Sequence, residues 1–263
     1  ADAGLRFEAT DRALLVPCAN APVDLLLVRA SDVPEYVQDG VVDLGITGAN
    51  LVAEAAAAVV TLAELGFARC TLQAAVPEDA APQALAELDG LRVATAYPLS
   101  TRTLLERLGV SVELVPVSGS VEAAPRLGLS DAIVDLVSTG STVSANGLRL
   151  LGTLLESQAV LVASEEALAE RRELVERLQL MLAGVVAARR RRYLMLNVPV
   201  GALEAVEALI PGMGSPSVLD LAEPGMKAVH AAVDADEIWE LLPSLKAAGA
   251  SSILVLPVER LVP

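Results

Sequence analysis

Histidine, cysteine and aromatic side chains are scarce in this sequence, and each scarcity excludes a chemistry. One histidine, His230, and two cysteines, Cys18 and Cys70, stand among 263 residues. Three such residues, far apart in sequence, make no Cys/His zinc cluster, and any Ser–His–Asp or Cys–His nucleophilic mechanism would rest on His230 alone. Two cysteines form no disulfide framework, so a reducing, cytoplasmic setting is the simplest expectation. Aromatic residues make up 2% of the chain, which leaves no stacking platform for bases. Cationic residues are short as well: 19 Lys and Arg against 34 Asp and Glu give a formal net charge of −15. A field of that sign repels phosphate polymers, so no nucleic-acid partner is expected. A small phosphate ligand must be caught by a local pocket.

Long apolar runs are also missing, although 54% of the residues are hydrophobic. The runs at 24–28, 51–62 and 253–256 are short or broken by Glu, Gly or Pro. None reaches the roughly 20 residues that a spanning helix needs, and the N-terminal residues show no basic segment followed by an apolar one. No membrane partner is expected. The excess of Ala, Leu and Val fits buried parallel strands and Ala-rich helices.

Strand-like and helical runs alternate. Strands are expected at 24–28, 43–46, 71–76, 92–94, 112–117 and 132–137, and helices at 33–39, 47–58, 82–88, 99–108 and 121–127. This rhythm predicts an α/β fold with mostly parallel sheet. Residues 165–192 read as one long connecting helix with Gly184 as its weak point. Beyond it come strand 193–198, helix 201–209, extended 217–221, strand 227–233, helix 236–248 and strand 252–257. That order, βαββαβ, is ferredoxin-like. Such a unit leaves one sheet face open, suited to a regulatory ligand or a twin subunit. Cys18 and Cys70 read as core residues, His230 as a packed strand residue, and Trp239 as core at helical spacing with Leu242. The arginines at 189–192 read as the cationic end of a helix.

Three loops invite chemistry. A buried strand delivers Asp131 and Asp135, and Ser138, Thr139, Gly140, Ser141 and Thr142 then open a helix near 143–146. Hydroxyls and free N–H groups at a helix start hold a phosphate monoester, and Gly140 permits close backbone approach. Carboxylates just upstream can accept hydrogen bonds from ribose hydroxyls. The plain alternative is a Ser/Thr-capped helix with Asp135 paired to a base, and these residues leave both open. Ser118, Gly119 and Ser120 form a second such loop or an ordinary cap, and Thr47-Gly48 a third. At the C-terminal ends of strands the three would converge on one crevice, where open α/β sheets bind ligands.

The run Glu122-x5-Gly128-x-Ser130-Asp131-Ala132-Ile133-x-Asp135-Leu136-x-Ser138-Thr139-Gly140-x-Thr142-Val143 resembles the signature of the ATP phosphoribosyltransferase family throughout. The resemblance extends to residues 42–51 (VDLGITGANL), 66–72 (GFARCTL), 92–102 (RVATAYPLSTR) and 146–148 (NGL). Residues 239–259 resemble the regulatory domain of the family's long form. The resemblance implies a two-lobed α/β catalytic part, like type II periplasmic binding proteins, over residues 1–190. Its chain would cross between lobes near 78–90 and again near 160–175. A ferredoxin-like regulatory domain would follow over 191–263.

The implied reaction joins N1 of the ATP adenine to C1′ of 5-phosphoribosyl 1-pyrophosphate with Mg²⁺, releasing pyrophosphate, as the first step of histidine biosynthesis. Ser138–Thr142 would hold the 5-phosphate, and Asp131 and Asp135 the ribose. Arg29, Tyr97, Ser118, Gly119 and Ser120 would line the nucleotide and pyrophosphate cleft. Histidine would inhibit through Asn197, Ser217 and Ser252, and subunits would assemble as a homo-oligomer, dimer to hexamer. No nucleophile or histidine base is required for this chemistry. One departure is that family members begin with a strand and a Lys/Arg-bearing loop, whereas this sequence opens Ala1-Asp2-Ala3-Gly4-Leu5-Arg6-Phe7, so a truncated N-terminus is expected. Two other readings remain: a catalytically impaired paralogue, and a non-catalytic two-lobe anion- or nucleotide-binding module.

Overall fold

In the computed structural model, which describes residues 2–8, 13–137, 141–210 and 214–262 with the side chains of Ser141 and Thr142 excepted, β1 (Leu15–Pro17) pairs with β2 (Asp24–Leu26). Then follow α1 (Val33–Gln38), β3 (Leu44–Gly48), α2 (Ala49–Ala55), β4 (Val60–Glu64), β5 (Cys70–Pro77), β6 (Arg92–Thr95) and α3 (Pro98–Arg107). The chain continues through β7 (Glu113–Pro116), β8 (Ala132–Val137), α4 (Ser141–Ala145), β9 (Leu148–Ser157), β10 (Ala159–Ala163), α5 (Glu165–Glu170) and α6 (Arg172–Arg189). It ends with β11 (Arg191–Pro199), α7 (Leu203–Glu207), β12 (Ser217–Asp220), β13 (Met226–Asp234), α8 (Ile238–Ala247) and β14 (Ser251–Pro257).

One compact unit, residues 12–15 and 26–176, holds two sheets among its described residues. The three-stranded sheet runs β3-β10-β4 and is antiparallel throughout. The five-stranded sheet runs β7-β6-β8-β5-β9, with β6 parallel to both β7 and β8. Its other half is antiparallel, because β5 lies between β8 and β9 and opposes both. The expected mostly parallel sheet is therefore a mixed one. The chain passes from the small sheet to the large one at residues 65–69 and returns at Gln158. Both passages precede the stretches near 78–90 and 160–175, since β5 already belongs to the large sheet and β10 to the small one.

Apolar side chains on both faces explain the strength of the central strands. Leu72, Ala74, Val76, Val93, Ala132 and Val134 pack on one side with Leu88, Leu105 and Val110. Ala75, Ala94 and Ile133 pack on the other with Val121, Ala124, Val143 and Leu148. Two expected helices shrink to single 3-10 turns, Leu85–Leu88 and Val121–Ala123. In the first region Arg149 Nη2 donates to the Ala80 carbonyl at 2.8 Å and holds an irregular loop. In the second, Pro125 has no N–H with which to continue the ladder.

The long helix expected over 165–192 is two helices. Ser164 caps α5 by accepting the Ala167 N–H at 3.1 Å. The break falls at Arg171 (φ −122°, ψ 28°) rather than at Gly184. Arg171 leaves the helical line and pairs with Asp43 at 3.2 Å. Gly184 stays inside α6, where the Leu261 N–H reaches its carbonyl at 2.9 Å. A Cβ there would stand 3.4 Å from the Leu261 oxygen, so close backbone approach, not weakness, accounts for this glycine.

The second unit comprises residues 1–11, 16–25 and 177–263. Its sheet, β12-β13-β11-β14, is antiparallel throughout. With α7 and α8 this is the ferredoxin-like βαββαβ arrangement. Leu194, Leu196, Val198, Val229, Val233, Leu241 and Leu245 form its core. Trp239 is 83% exposed, against the expectation of a core residue. It lies two residues before Leu241, roughly 200° around the helix from the buried face.

Candidate active site

Parallel strands β7, β6 and β8 finish side by side, so the loops that follow them gather at one end of the large sheet. The Val117 N–H donates to the Thr95 carbonyl at 3.0 Å and joins the first two of these ends. Strand β5 starts at the same end: Thr71 lies opposite Val137, and Thr71 Oγ1 donates to the Val137 carbonyl at 3.1 Å. Gln73 faces Asp135 across the ladder and donates from Nε2 to Thr71 Oγ1 at 2.7 Å. Thr71, Gln73 and Asp135 therefore share one sheet face. Sequence reading missed Thr71 and Gln73, which resemble ordinary strand residues until the register is known.

Asp135 is partly buried. Burial pushes its carboxyl group above the usual carboxylate range, the Leu136 N–H on Oδ1 (2.8 Å) opposes this, and the charge of Glu122 adds to it. Tyr97 ends the β6 loop. Burial raises its phenol above the ordinary value, and the negative charges of Asp135, Cys70 and Glu54 reinforce the shift. Its side chain packs with Leu72, Ala74 and Val134, on the sheet face opposite Asp135.

Asp131 is not brought to this end. It precedes β8, four residues from Asp135, which is roughly 13 Å along an extended strand. There its Oδ2 accepts the Arg92 N–H (3.0 Å) and Nε–H (3.2 Å), and its Oδ1 accepts from Nη2 (2.9 Å). Arg92 Nη1 also donates to the Gly128 carbonyl at 3.1 Å. Hydrogen bonds from Arg92 hold the Asp131 carboxyl below the usual range. The pair joins the start of β6 to the start of β8, away from the end where the loops gather. Spacing of i and i+4 put both carboxylates on one face, and strand length separated them.

The remaining assignments divide. Ser138, Thr139 and Gly140 lie outside the described residues. Ser141 and Thr142 open α4, whose Val143 packs on the sheet face that carries Asp135. Ser118, Gly119 and Ser120 are exposed at the end of β7, and Ser120 takes a left-handed conformation (φ 51°). A Cβ at Gly119 would meet nothing within 4 Å, so this loop faces open space.

Thr47 and Gly48 serve the structure instead of an anion. Thr47 Oγ1 donates to the Ala30 carbonyl at 2.6 Å. Gly48 leaves room for the Asn50 side chain, which bonds the Ser157 hydroxyl at 2.8 Å. Arg29 is exposed on the loop that this Thr47 bond anchors, and its carbonyl accepts the Asp32 N–H at 3.0 Å.

In the smaller unit, Asn197 on β11 lies opposite Ser251, whose hydroxyl donates to the Asn197 carbonyl at 3.3 Å. Ser252, the next residue, has φ 48° inside a strand, a strained conformation for a residue with a Cβ. Ser217 sits on β12, opposite His230. Two strands separate β12 from β14, so Ser217 is roughly 14 Å from the Ser252 strand. Within one chain, Asn197 and Ser252 adjoin and Ser217 does not join them. His230 meets the Tyr193 hydroxyl through Nδ1 at 3.2 Å, with the rings edge to face at 6.0 Å.

Glu54 is the other residue that sequence reading passed over. It interrupts an apolar run, and that lone charge was the available signal. Its two carboxylate oxygens accept the Leu99 and Ser100 N–H groups at the start of α3, at 3.0 and 2.8 Å. Among the described residues no three His, Cys, Asp or Glu side chains gather as a metal cage. No helix among them is long and apolar enough to cross a membrane.

Comparisons with known proteins identify the family. Residues 29–184 match the family described as HisG, ATP phosphoribosyltransferase, and residues 188–260 match the HisG C-terminal domain. An ATP phosphoribosyltransferase of Natronomonas pharaonis is 45% identical over 262 residues, covering 99% of this chain and 92% of that protein. That of Gemmatimonas aurantiaca is 42% identical, covering 100% and 93%. Among solved structures, the ATP phosphoribosyl transferase (HisG:HisZ) complex from Thermotoga maritima is 28% identical with a TM-score of 0.59. It covers 69% of this chain and 89% of its own. The matches to both parts of the sequence, and relatives this similar over the whole of it, place the chain in the ATP phosphoribosyltransferase family.

Proposed function

We propose that this protein is an ATP phosphoribosyltransferase that performs the first step of histidine biosynthesis. It forms a bond between adenine N1 of ATP and C1′ of 5-phosphoribosyl 1-pyrophosphate while the C1′–O bond to pyrophosphate breaks. The observation that carries this reading is the family match over residues 29–184, which contains every element that builds the loop-bearing sheet end. Displacement at C1′ passes through a transition state of oxocarbenium character. The nucleophile is a neutral ring nitrogen, so positioning and electrostatics supply the rate without a covalent intermediate. A chain with a single histidine, itself paired to Tyr193, suits such chemistry.

Asp135 faces the ribose hydroxyls and accepts their hydrogen bonds, while the segment 138–142 takes the 5-phosphate through N–H and hydroxyl donors. Tyr97, Arg29 and the open loop Ser118–Ser120 receive the nucleotide and pyrophosphate. Asp131 has no part in this, being committed to Arg92.

Mg²⁺ usually keeps several waters and is bound through one or two carboxylates plus substrate phosphates rather than by a protein cage. Asp135, a half-buried carboxylate at the loop-bearing end of the sheet, is the residue that would hold the ion there. When bound, the metal would neutralise charge on the departing pyrophosphate. The ferredoxin-like unit is the regulatory domain, and free histidine binds near Asn197 and Ser252, where the backbone is strained. Ser217, on the far side of the sheet, reaches such a site from another subunit of a dimer or hexamer. The protein works in the cytoplasm.

The test is a coupled assay of pyrophosphate release from ATP and 5-phosphoribosyl 1-pyrophosphate, with and without histidine. Turnover that requires both substrates and Mg²⁺ and falls with histidine is the expected result. Absence of turnover would remove the enzyme reading in favour of a binding module or an impaired paralogue. Turnover insensitive to histidine would remove the regulatory claim alone.

A further inference from the structure

Glu54 connects the two sheets of the larger unit at the point where Tyr97 begins α3. α2 belongs with the three-stranded sheet: β3 leads into it, and Asn50 is bonded to Ser157 through both its N–H and its side chain. α3 belongs with the five-stranded sheet, directly after β6. The two helices pack together. From the last turn of α2, Glu54 Oε1 accepts the Leu99 N–H at 3.0 Å, and Oε2 accepts the Ser100 N–H at 2.8 Å.

Those two N–H groups are among the four that every α-helix leaves unbonded at its start. A residue at the N-cap position, usually Ser, Thr, Asp or Asn, normally satisfies one of them. Here that position is Tyr97, which makes no side-chain cap bond. The cap comes instead from 45 residues away, and its negative charge also suits the positive end of the helix dipole. On the other side, the Tyr97 N–H donates to Thr95 Oγ1 at 2.9 Å, and Thr95 is joined to Thr101 at 3.1 Å, both fully buried. A poor capping residue thus occupies the cap position, and two separate devices hold its backbone in place. That arrangement makes sense if the Tyr97 side chain is wanted where it stands.

We infer that Glu54 is a positioning residue for the transfer reaction: capping α3 from the opposite sheet, it fixes Tyr97 at the end of β6 and holds the two sheets at one separation. The inference rests on the transferase reading for the identity of the ligand, ATP. Glu54→Gln keeps the size of the side chain but removes its charge and points an NH₂ group at one of the two N–H donors. Loss of a charged double hydrogen bond of this kind corresponds to roughly tenfold in an equilibrium constant. Glu54→Gln is therefore expected to raise the KM for ATP about tenfold while kcat changes less than about threefold.

In a double-mutant cycle with Tyr97→Ala, most of the Glu54→Gln effect should disappear, because both act through one group. Glu54→Asp, which keeps the charge but shortens the reach, is the second variant and should raise the KM in the same direction. Calorimetric titration with ATP provides a readout independent of turnover: wild type should bind about tenfold more tightly than Glu54→Gln. If the wild type binds ATP but shows no turnover, the reaction reading fails and the titration still decides the role of Glu54. A lower melting temperature with unchanged KM and ATP affinity would reduce Glu54 to an ordinary helix cap. Effects that multiply with Tyr97→Ala would also overturn the inference.

Discussion

Gly45→Ala is expected to strain the small sheet by an amount that can be worked from its surroundings. Gly45 lies in β3 under α1, and a Cβ there would overlap Val33 Cγ1 and stand 2.9 Å from Val37 Cγ2. A third methyl, Val162 Cγ2, would be at 3.4 Å, already tight. Val37 is fully buried and Val33 is 8% exposed, so neither side chain can swing into solvent. Either both valines leave their preferred rotamers, at about 0.5–1.5 kcal/mol each, or α1 lifts from the sheet. Both routes give an overpacking cost of about 2–3 kcal/mol. For a unit of this size that corresponds to a fall of roughly 5–10 °C in melting temperature. Thermal denaturation followed by circular dichroism measures it. The companion variant Val33→Ala vacates the space that the new methyl needs. The double variant should therefore lose at least about 1 kcal/mol less than the sum of the singles. A Gly45→Ala protein melting within about 1 °C of its parent, or strict additivity in the cycle, would refute the packing argument.

Asp135→Asn should separate function from stability. It removes a carboxylate proposed to hold the ribose, so kcat/KM for 5-phosphoribosyl 1-pyrophosphate should fall roughly 10- to 100-fold. Because burial raises the Asp135 carboxyl, the folded protein prefers its protonated form. That preference stabilises the fold at low pH and is lost as pH rises through the folded-state value. The variant should accordingly be no less stable than the wild type, most clearly above neutral pH, and a destabilised variant there would count against the reading. Asp131→Asn should do the reverse, lowering thermal stability while leaving both KM values unchanged. Arg92 depresses the Asp131 carboxyl, so this stabilisation is present above the ordinary carboxylate range and is lost as pH falls through the folded value. A KM that rises in Asp131→Asn would restore it as a ligand. The lone Trp239, 83% exposed, should show the emission of a solvated indole and ready iodide quenching in the dispersed chain. A blue-shifted, protected emission would mean that another surface covers it.

Much of the α/β pattern was readable because β5, β6 and β8 each carry a short apolar stretch buried on both faces, AAV, VA and AIV. β8 occupies residues 132–137, the same stretch that its composition marks. β9 was hidden by its own geometry. Two register shifts against β5 disturb the simple alternation, and the exposed positions of β9 fall at 150, 153 and 156. A spacing of three resembles a helix more than a strand, so LRLLGTLLES carries no strand signal. The long helix failed for a different reason. Arg171 is a good helix former, and only its partner Asp43, 128 positions earlier, shows why the chain turns there.

The site was legible in proportion to how local its geometry is. Hydroxyls and glycines after a strand announce a loop, and the strand order brings three such loop-bearing ends together. Face and distance, however, are separate quantities: Asp131 and Asp135 share a face by alternation, yet only Asp135 reaches the end where the loops gather. A glycine after a strand is equally ambiguous. Gly48 resembles an anion loop, but the space it leaves is filled by Asn50. Glu54 shows the limit most clearly. Its role depends on Leu99 and Ser100, in a helix that belongs with the other sheet, and the local sequence offers only a charge in an Ala-rich run. Such a charge is ordinarily read as a solvated helix face, and here it caps a helix three strands later. Residues that act across the two sheets are therefore the ones a sequence conceals, and they are also the ones best placed to make the cleft respond to its ligand.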